Sequence, residues 1–164
     1  MPTTESAFNK LFDIEEDAVG RATVFASRKV EYLYDWWLSS GGGDKLPLRA
    51  MFDITDHRPI VANIFLTEVG PGSDFTFRLM GEQVIQIIGR NNTGKVLPPG
   101  EPGEYGHALH AYYTSIVDQK VCKRCVGSLL FAGKEFKRFE SIDCPLSNDG
   151  ETVSVIIGVM DLIK

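Results

Sequence analysis

One stretch of the chain changes its hydrophobic period once, and that change limits what the chain can build. It is Phe75-Thr-Phe-Arg-Leu-Met-Gly-Glu-Gln-Val-Ile-Gln-Ile-Ile-Gly-Arg-Asn-Asn-Thr-Gly-Lys95. Phe75, Phe77 and Leu79 alternate with Thr76, Arg78 and Met80, the period-2 pattern of a strand. Gly81 interrupts it, and Val84, Ile85, Ile87 and Ile88 follow as a short helical run that Gly89 closes. Asn91-Asn92-Thr93-Gly94 is then a turn, because Asn and Gly tolerate positive φ and Asn and Thr bond their own backbone. A strand that hands over to a short helix and a polar turn forms a wall and a lid. The rest of the chain is expected to close a small cup around them.

N-terminal to this stretch, residues 22–39 read as a helix. Phe25, Tyr32, Leu33, Trp36 and Trp37 fall on one stripe, with Val30 and Tyr34 beside it. A stripe this broad either packs on its own domain or meets the same helix of another subunit. In the second case Phe25, Tyr32, Leu33, Trp36 and Trp37 form the interface of a homodimer. Gly41-Gly42-Gly43 ends the helix and reads as a hinge. Residues 1–44 are therefore expected to be a helical extension, and residues 45–164 the main domain. Before the helix, Phe8, Leu11, Phe12 and Ile14 read as a helical turn or a docked arm, and Glu15-Glu16-Asp17 as a solvated helix start.

Ile60–Val69 reads as a strand joined to Phe75 by the turn Gly70-Pro-Gly-Ser-Asp74. Leu97-Pro-Pro is a loop by composition. Leu109, Tyr112, Tyr113, Ile116 and Val117 mark an amphipathic helix. Three strands follow: Val121–Phe131, Phe136–Leu146 and Thr152–Ile163, the last two joined by the hairpin turn Ser147-Asn-Asp-Gly150. Val153, Val155, Ile157 and Val159 share one face, taken as the core side. The expected fold is α+β: a five-stranded antiparallel sheet with helices on one face, plus the N-terminal amphipathic helix.

This order of elements resembles that of a PAS domain. Three stretches resemble a bacterial, alphaproteobacterial-type PAS subfamily: Leu46-Pro-Leu-Arg-Ala-Met-Phe-Asp53 after the Trp-rich helix, Phe77-Arg-Leu-Met-Gly81 with Gly89-Arg-Asn-Asn-Thr-Gly94, and Leu146-Ser-Asn-Asp-Gly150. The resemblance implies a sensory or regulatory module, often dimeric, with a cavity between sheet and helices, and does not imply an enzyme. With the last strand ending near Lys164, the expectation is a sensor without its own output domain, reporting through a protein partner or self-association. By phase and element, the residues expected to line the cup and contact a small ligand are Phe65, Phe77, Leu79, Ile87 and Leu97, together with Tyr113, Leu130, Ile142 and Ile157. The alternative is a constitutive dimerisation or protein-interaction module with no small ligand.

Other constellations narrow the chemistry. The net charge of -5 argues against a general nucleic-acid surface. No apolar run approaches the ~20 residues of a membrane span. The polar N-terminus lacks a signal-peptide core, and three cysteines fit reduced thiols in a cytoplasm. Cys122-Lys-Arg-Cys125 has CxxC spacing, but residues three apart in a strand face opposite sides, so both read as ordinary strand cysteines without redox or metal assignment. His107 and His110 are helix neighbours near the cup, where some PAS domains ligate haem, yet solvated or locally bonded histidines fit better; His57 sits in a Pro-containing loop with nothing around it. No cysteine lies in residues 81–95 for flavin chemistry, and Val96 stands where a phosphate loop needs a hydroxyl. No serine has a matching His and acid. No catalytic residue or metal ligand is assigned, and the cofactor is left open.

Overall fold

The structure is a computed structural model that describes residues 12–164. Its strands are β1 (Ile14–Ala18), β2 (Ile64–Val69), β3 (Phe75–Met80), β4 (Val96–Leu97), β5 (Lys123–Leu129), β6 (Lys134–Leu146) and β7 (Val155–Ile163). Its α-helices are α1 (Arg28–Ser39), α2 (Glu82–Ile88) and α3 (Glu104–Gln119). The strands form one sheet in the order β1-β5-β6-β7-β2-β3-β4, with every neighbouring pair antiparallel.

The class is α+β as expected, but the sheet has seven strands and not five. The two additional strands are its edges. Glu15, Glu16 and Asp17 are not a helix start; they lie on β1, opposite Val126, Cys125 and Arg124. Charged residues on an edge strand discourage further pairing, which is why a true strand here lacks an apolar alternation. Phe8 and Leu11 lie outside the described residues, and Ile14 opens β1 as a buried residue. At the other edge, Val96 and Leu97 pair with Thr76 and Phe75 before Pro98 ends the ladder. Residues 60–63, expected to begin β2, instead belong to a 3-10 helix, Arg58–Asn63.

Helices cover both faces of the sheet, not one. On β6, Ile142, Cys144 and Leu146 point to the same side as Val30, Leu33 and Trp37 of α1. Phe139 points the other way, into a cluster with Val84, Tyr112, Tyr113 and Ile116 of α2 and α3. Every residue from 141 to 147 is buried, and so is every residue from 156 to 160. The centre of the sheet is therefore a middle layer between two helical layers.

Two features seat α1. Ser27 caps it, its Oγ accepting from the Val30 N–H at 3.2 Å. The fully buried Glu140 of β6 accepts from the N–H groups of Ala26 at 3.0 Å and Ser27 at 2.8 Å, and pairs with Arg124 at 2.8 Å. The stripe read from the sequence thus finds its partner within the chain. Leu33 and Trp37 are buried against the chain's own sheet, while Phe25, Tyr32 and Trp36 are half-buried. Leu33 and Trp37 are accordingly not available to a second subunit. From Ile14 onward the expected extension is part of the same body, through β1 in the sheet and α1 on its face.

The glycine run is a packing site, not a hinge. The Trp37 indole lies on Gly42, so closely that a Cβ there would fall 2.3 Å from the ring, and its Nε1 donates to the Pro145 carbonyl at 2.9 Å. Gly42→Ala is expected to cost about 1–3 kcal/mol by displacing the ring. Urea unfolding of the two proteins measures that difference.

Candidate functional site: a cavity with a buried carboxylic acid

Between the sheet and the layer of α2 and α3 lies a cavity of about 120 Å³. Apolar and aromatic side chains make most of its wall. Phe65, Phe77 and Phe139 come from the sheet, and Val84, Leu109 and Tyr113 from the helices. Gly158 of β7 makes room for Phe65: a Cβ at this position would stand 2.1 Å from the ring's Cζ. At one side Tyr105 stacks on Phe131, with ring centres 4.8 Å apart. Arg90 and Asn92, in the turn after α2, also line the cavity. Arg90 is exposed, so it stands at the rim. The polar turn itself forms as expected, with Asn91 Oδ1 accepting from the Thr93 N–H at 3.0 Å.

The floor carries the polar side chains of Ser141 and Asp143. Asp143 is 3% exposed on a central strand, and its carboxyl lines the cavity. The Tyr112 hydroxyl donates to Oδ2 at 2.7 Å. Oδ1 is buried and has no hydrogen-bond partner. Burial pushes the Asp143 carboxyl up to about 7, against the opposing effect of the Tyr112 hydrogen bond. Burial likewise raises Tyr112, Tyr113 and Cys125, so all three are neutral near pH 7. A buried acid with one open oxygen is costly unless something meets it.

Three of the nine residues expected to contact a ligand line this cavity: Phe65, Phe77 and Tyr113. Ile87 and Leu97 belong to the same hydrophobic cluster but pack behind its wall. Ile142 and Ile157 face α1 on the opposite side of the sheet, and Leu130 is exposed. Leu79 also faces the α1 side. The cause is a bulge: Leu66 pairs with Leu79 but Thr67 pairs with Phe77, so Arg78 is an extra residue that reverses the phase. Alternation along β3 therefore fails after Phe77.

The residue missed altogether is Asp143. Ser141 and Asp143 share a phase on β6, and two polar residues in phase read as a solvent face. The signal in the sequence is an acid set between the apolar residues Ile142 and Cys144, since Asp is depleted in strands.

The other marked residues have structural partners. Cys122 and Cys125 fall in the two different hydrophobic clusters, and all three cysteines are free and buried. His110 Nε2 is 2.7 Å from the Ser73 carbonyl oxygen, and His107 is exposed. His57 has close neighbours after all: its ring stacks on Phe52 at 4.4 Å, and Nδ1 is 3.0 Å from the Tyr32 hydroxyl. Among the described residues no group of side chains is arranged to hold a metal ion, and no helix is long and apolar enough to cross a membrane. Comparison of the chain with protein-family models, with curated proteins and with solved structures finds no match.

Proposed function

We propose that the chain is a sensory or regulatory module of the PAS type that binds a small ligand in the cavity at Asp143 and reports occupancy through the packing of α1. The observation that carries this reading is the cavity itself. It lies between the sheet and the layer of α2 and α3, and its wall keeps a carboxyl oxygen without a partner. A mostly apolar pocket with a few placed polar groups is the usual make-up of a small-molecule site. The PAS reading draws support from the adjacency β5-β6-β7-β2-β3 and from the position of the cavity between sheet and helices.

The route from ligand to surface is short. Asp143 faces the cavity, while its chain neighbours Ile142 and Cys144 face α1. A ligand that moves the strand at Asp143 moves two contacts of α1 with it. One arrangement of α1 then binds the ligand better, and occupancy shifts the population toward it. A protein partner or a second copy of the chain reads the outer surface of α1, where Glu31 and Asp35 are exposed.

Native mass spectrometry of the purified chain tests this. The expected spectrum contains a small organic mass that is lost on denaturation. A bare chain mass, together with no uptake of any small aromatic probe, overturns the ligand-binding reading.

A further inference from the structure

We propose that the cavity takes a monocyclic aromatic acid, bound through a ring hydrogen-bond donor to Asp143 Oδ1 and through its carboxylate to Arg90; this rests on the ligand-binding reading above.

Three observations define the ligand. First, the floor offers an acceptor. Asp143 Oδ2 already takes the Tyr112 hydroxyl, and Oδ1 is buried without a partner. A ring hydroxyl entering the cavity would satisfy it with a charge-assisted hydrogen bond. Second, the space is that of one ring. A volume of about 120 Å³ is close to the ~150 Å³ of a protein cavity that holds benzene. Phe65, Phe77, Tyr113 and Phe139 line it, and aromatic walls favour an aromatic guest. Third, the rim is cationic. Among the described residues that line the cavity, Arg90 is the one base and Asp143 the one acid. Arg90 is exposed and Asp143 is buried, so the base stands toward solvent and the acid inside an apolar space.

That polarity decides between ligand classes. A simple amine would pair with Asp143 but leave Arg90 with no counter-charge. A free aromatic amino acid that places its carboxylate at Arg90 and its ring donor at Asp143 brings an ammonium group for which the lining offers no second acid. An aromatic acid with its donor on the far side of the ring spans the two.

Isothermal titration calorimetry of the full chain with 4-hydroxyphenylacetate, phenylacetate, 4-methylphenol and benzene tests the assignment. The hydroxy acid is expected to bind at least about tenfold more tightly than phenylacetate, which lacks the donor, and than 4-methylphenol, which lacks the acid. In Asp143→Leu, which offers the ring hydroxyl neither donor nor acceptor, the advantage over phenylacetate is lost and the advantage over 4-methylphenol remains. The Tyr112 hydroxyl keeps the Lys123 carbonyl as an acceptor. In Arg90→Gln the pattern reverses, and because Arg90 is exposed that variant retains its fold. Equal binding of the first three probes, or preferences that survive in the variants, overturns the assignment. Binding of benzene alone overturns it too but leaves the ligand-binding reading intact. If none of the four probes binds, the assignment fails, and the ligand-binding reading fails with it only where native mass spectrometry also gives the bare chain mass.

Discussion

Glu140→Ala is expected to lower stability by about 3–5 kcal/mol and to release the start of α1 from the sheet. Glu140 is fully buried and serves three groups at once: the Arg124 guanidinium and the N–H groups of Ala26 and Ser27. Truncation leaves the guanidinium, on a half-buried residue, without its counter-charge and two backbone donors without acceptors. The Ser27 cap then loses its anchor, although its Oγ still donates to Asp161 at 2.8 Å. Glu140→Gln keeps one acceptor and is expected to cost less than the alanine. Urea unfolding gives the stability change, and amide hydrogen exchange at Val30 and Leu33 reports whether α1 loosens first. A loss below about 1 kcal/mol would mean that the apolar contacts of Leu33 and Trp37 alone seat the helix.

Asp143→Asn is expected to act in the opposite direction and to stabilise the empty protein at neutral and alkaline pH. Folding raises the Asp143 pKa from 3.8 to about 7, so in that interval the folded chain holds a proton that the unfolded chain has released. The contribution to stability is therefore full below pH 3.8 and is lost as pH rises through about 7. Between pH 5 and pH 8 this amounts to roughly 3 kcal/mol. The asparagine variant cannot titrate, so the difference between the two proteins grows across that window. Hydrogen bonds lower the carboxyls of Asp53 and Asp149, whose effects fall at more acid pH and are common to both proteins. Urea unfolding at pH 5, 6, 7 and 8 measures the growing gap. Parallel curves would show that the Asp143 carboxyl is as well solvated as in the unfolded chain. A buried acid kept at the expense of stability is what a binding site, rather than a packing site, requires.

The elements were more legible in the sequence than their sides. Leu33 and Trp37 marked an amphipathic helix, Gly89 marked the end of α2, and Ser147-Asn-Asp-Gly150 marked the hairpin between β6 and β7. Each is a local matter of period or turn chemistry. What a strand faces is not local. Ile142 and Ile157 are in phase with a core face, as read, but this sheet has two core faces, and alternation cannot tell which one holds the cavity. The edge strand β1 stayed hidden because Glu15, Glu16 and Asp17 replace the apolar pattern that identifies a strand. Leu79 was assigned to the cavity because a bulge at Arg78 leaves no mark in the hydrophobic pattern. Asp143 was passed over because a polar residue in a strand is ordinarily a solvated one. The cavity depends on that same exception.

The methionines give the most direct reading of the cavity. Met80 and Met160 line it, whereas Met51 is half-exposed on a separate 3-10 helix. With the methionine methyl carbons labelled, a carbon–proton NMR titration with 4-hydroxyphenylacetate, and then with benzene, locates binding without any assumption about affinity. The expected result is saturable shifts at Met80 and Met160 with at least one probe, and none at Met51. Unmoved Met80 and Met160 methyls at saturating concentrations of both probes, or shifts confined to Met51, would contradict a ligand site at Asp143.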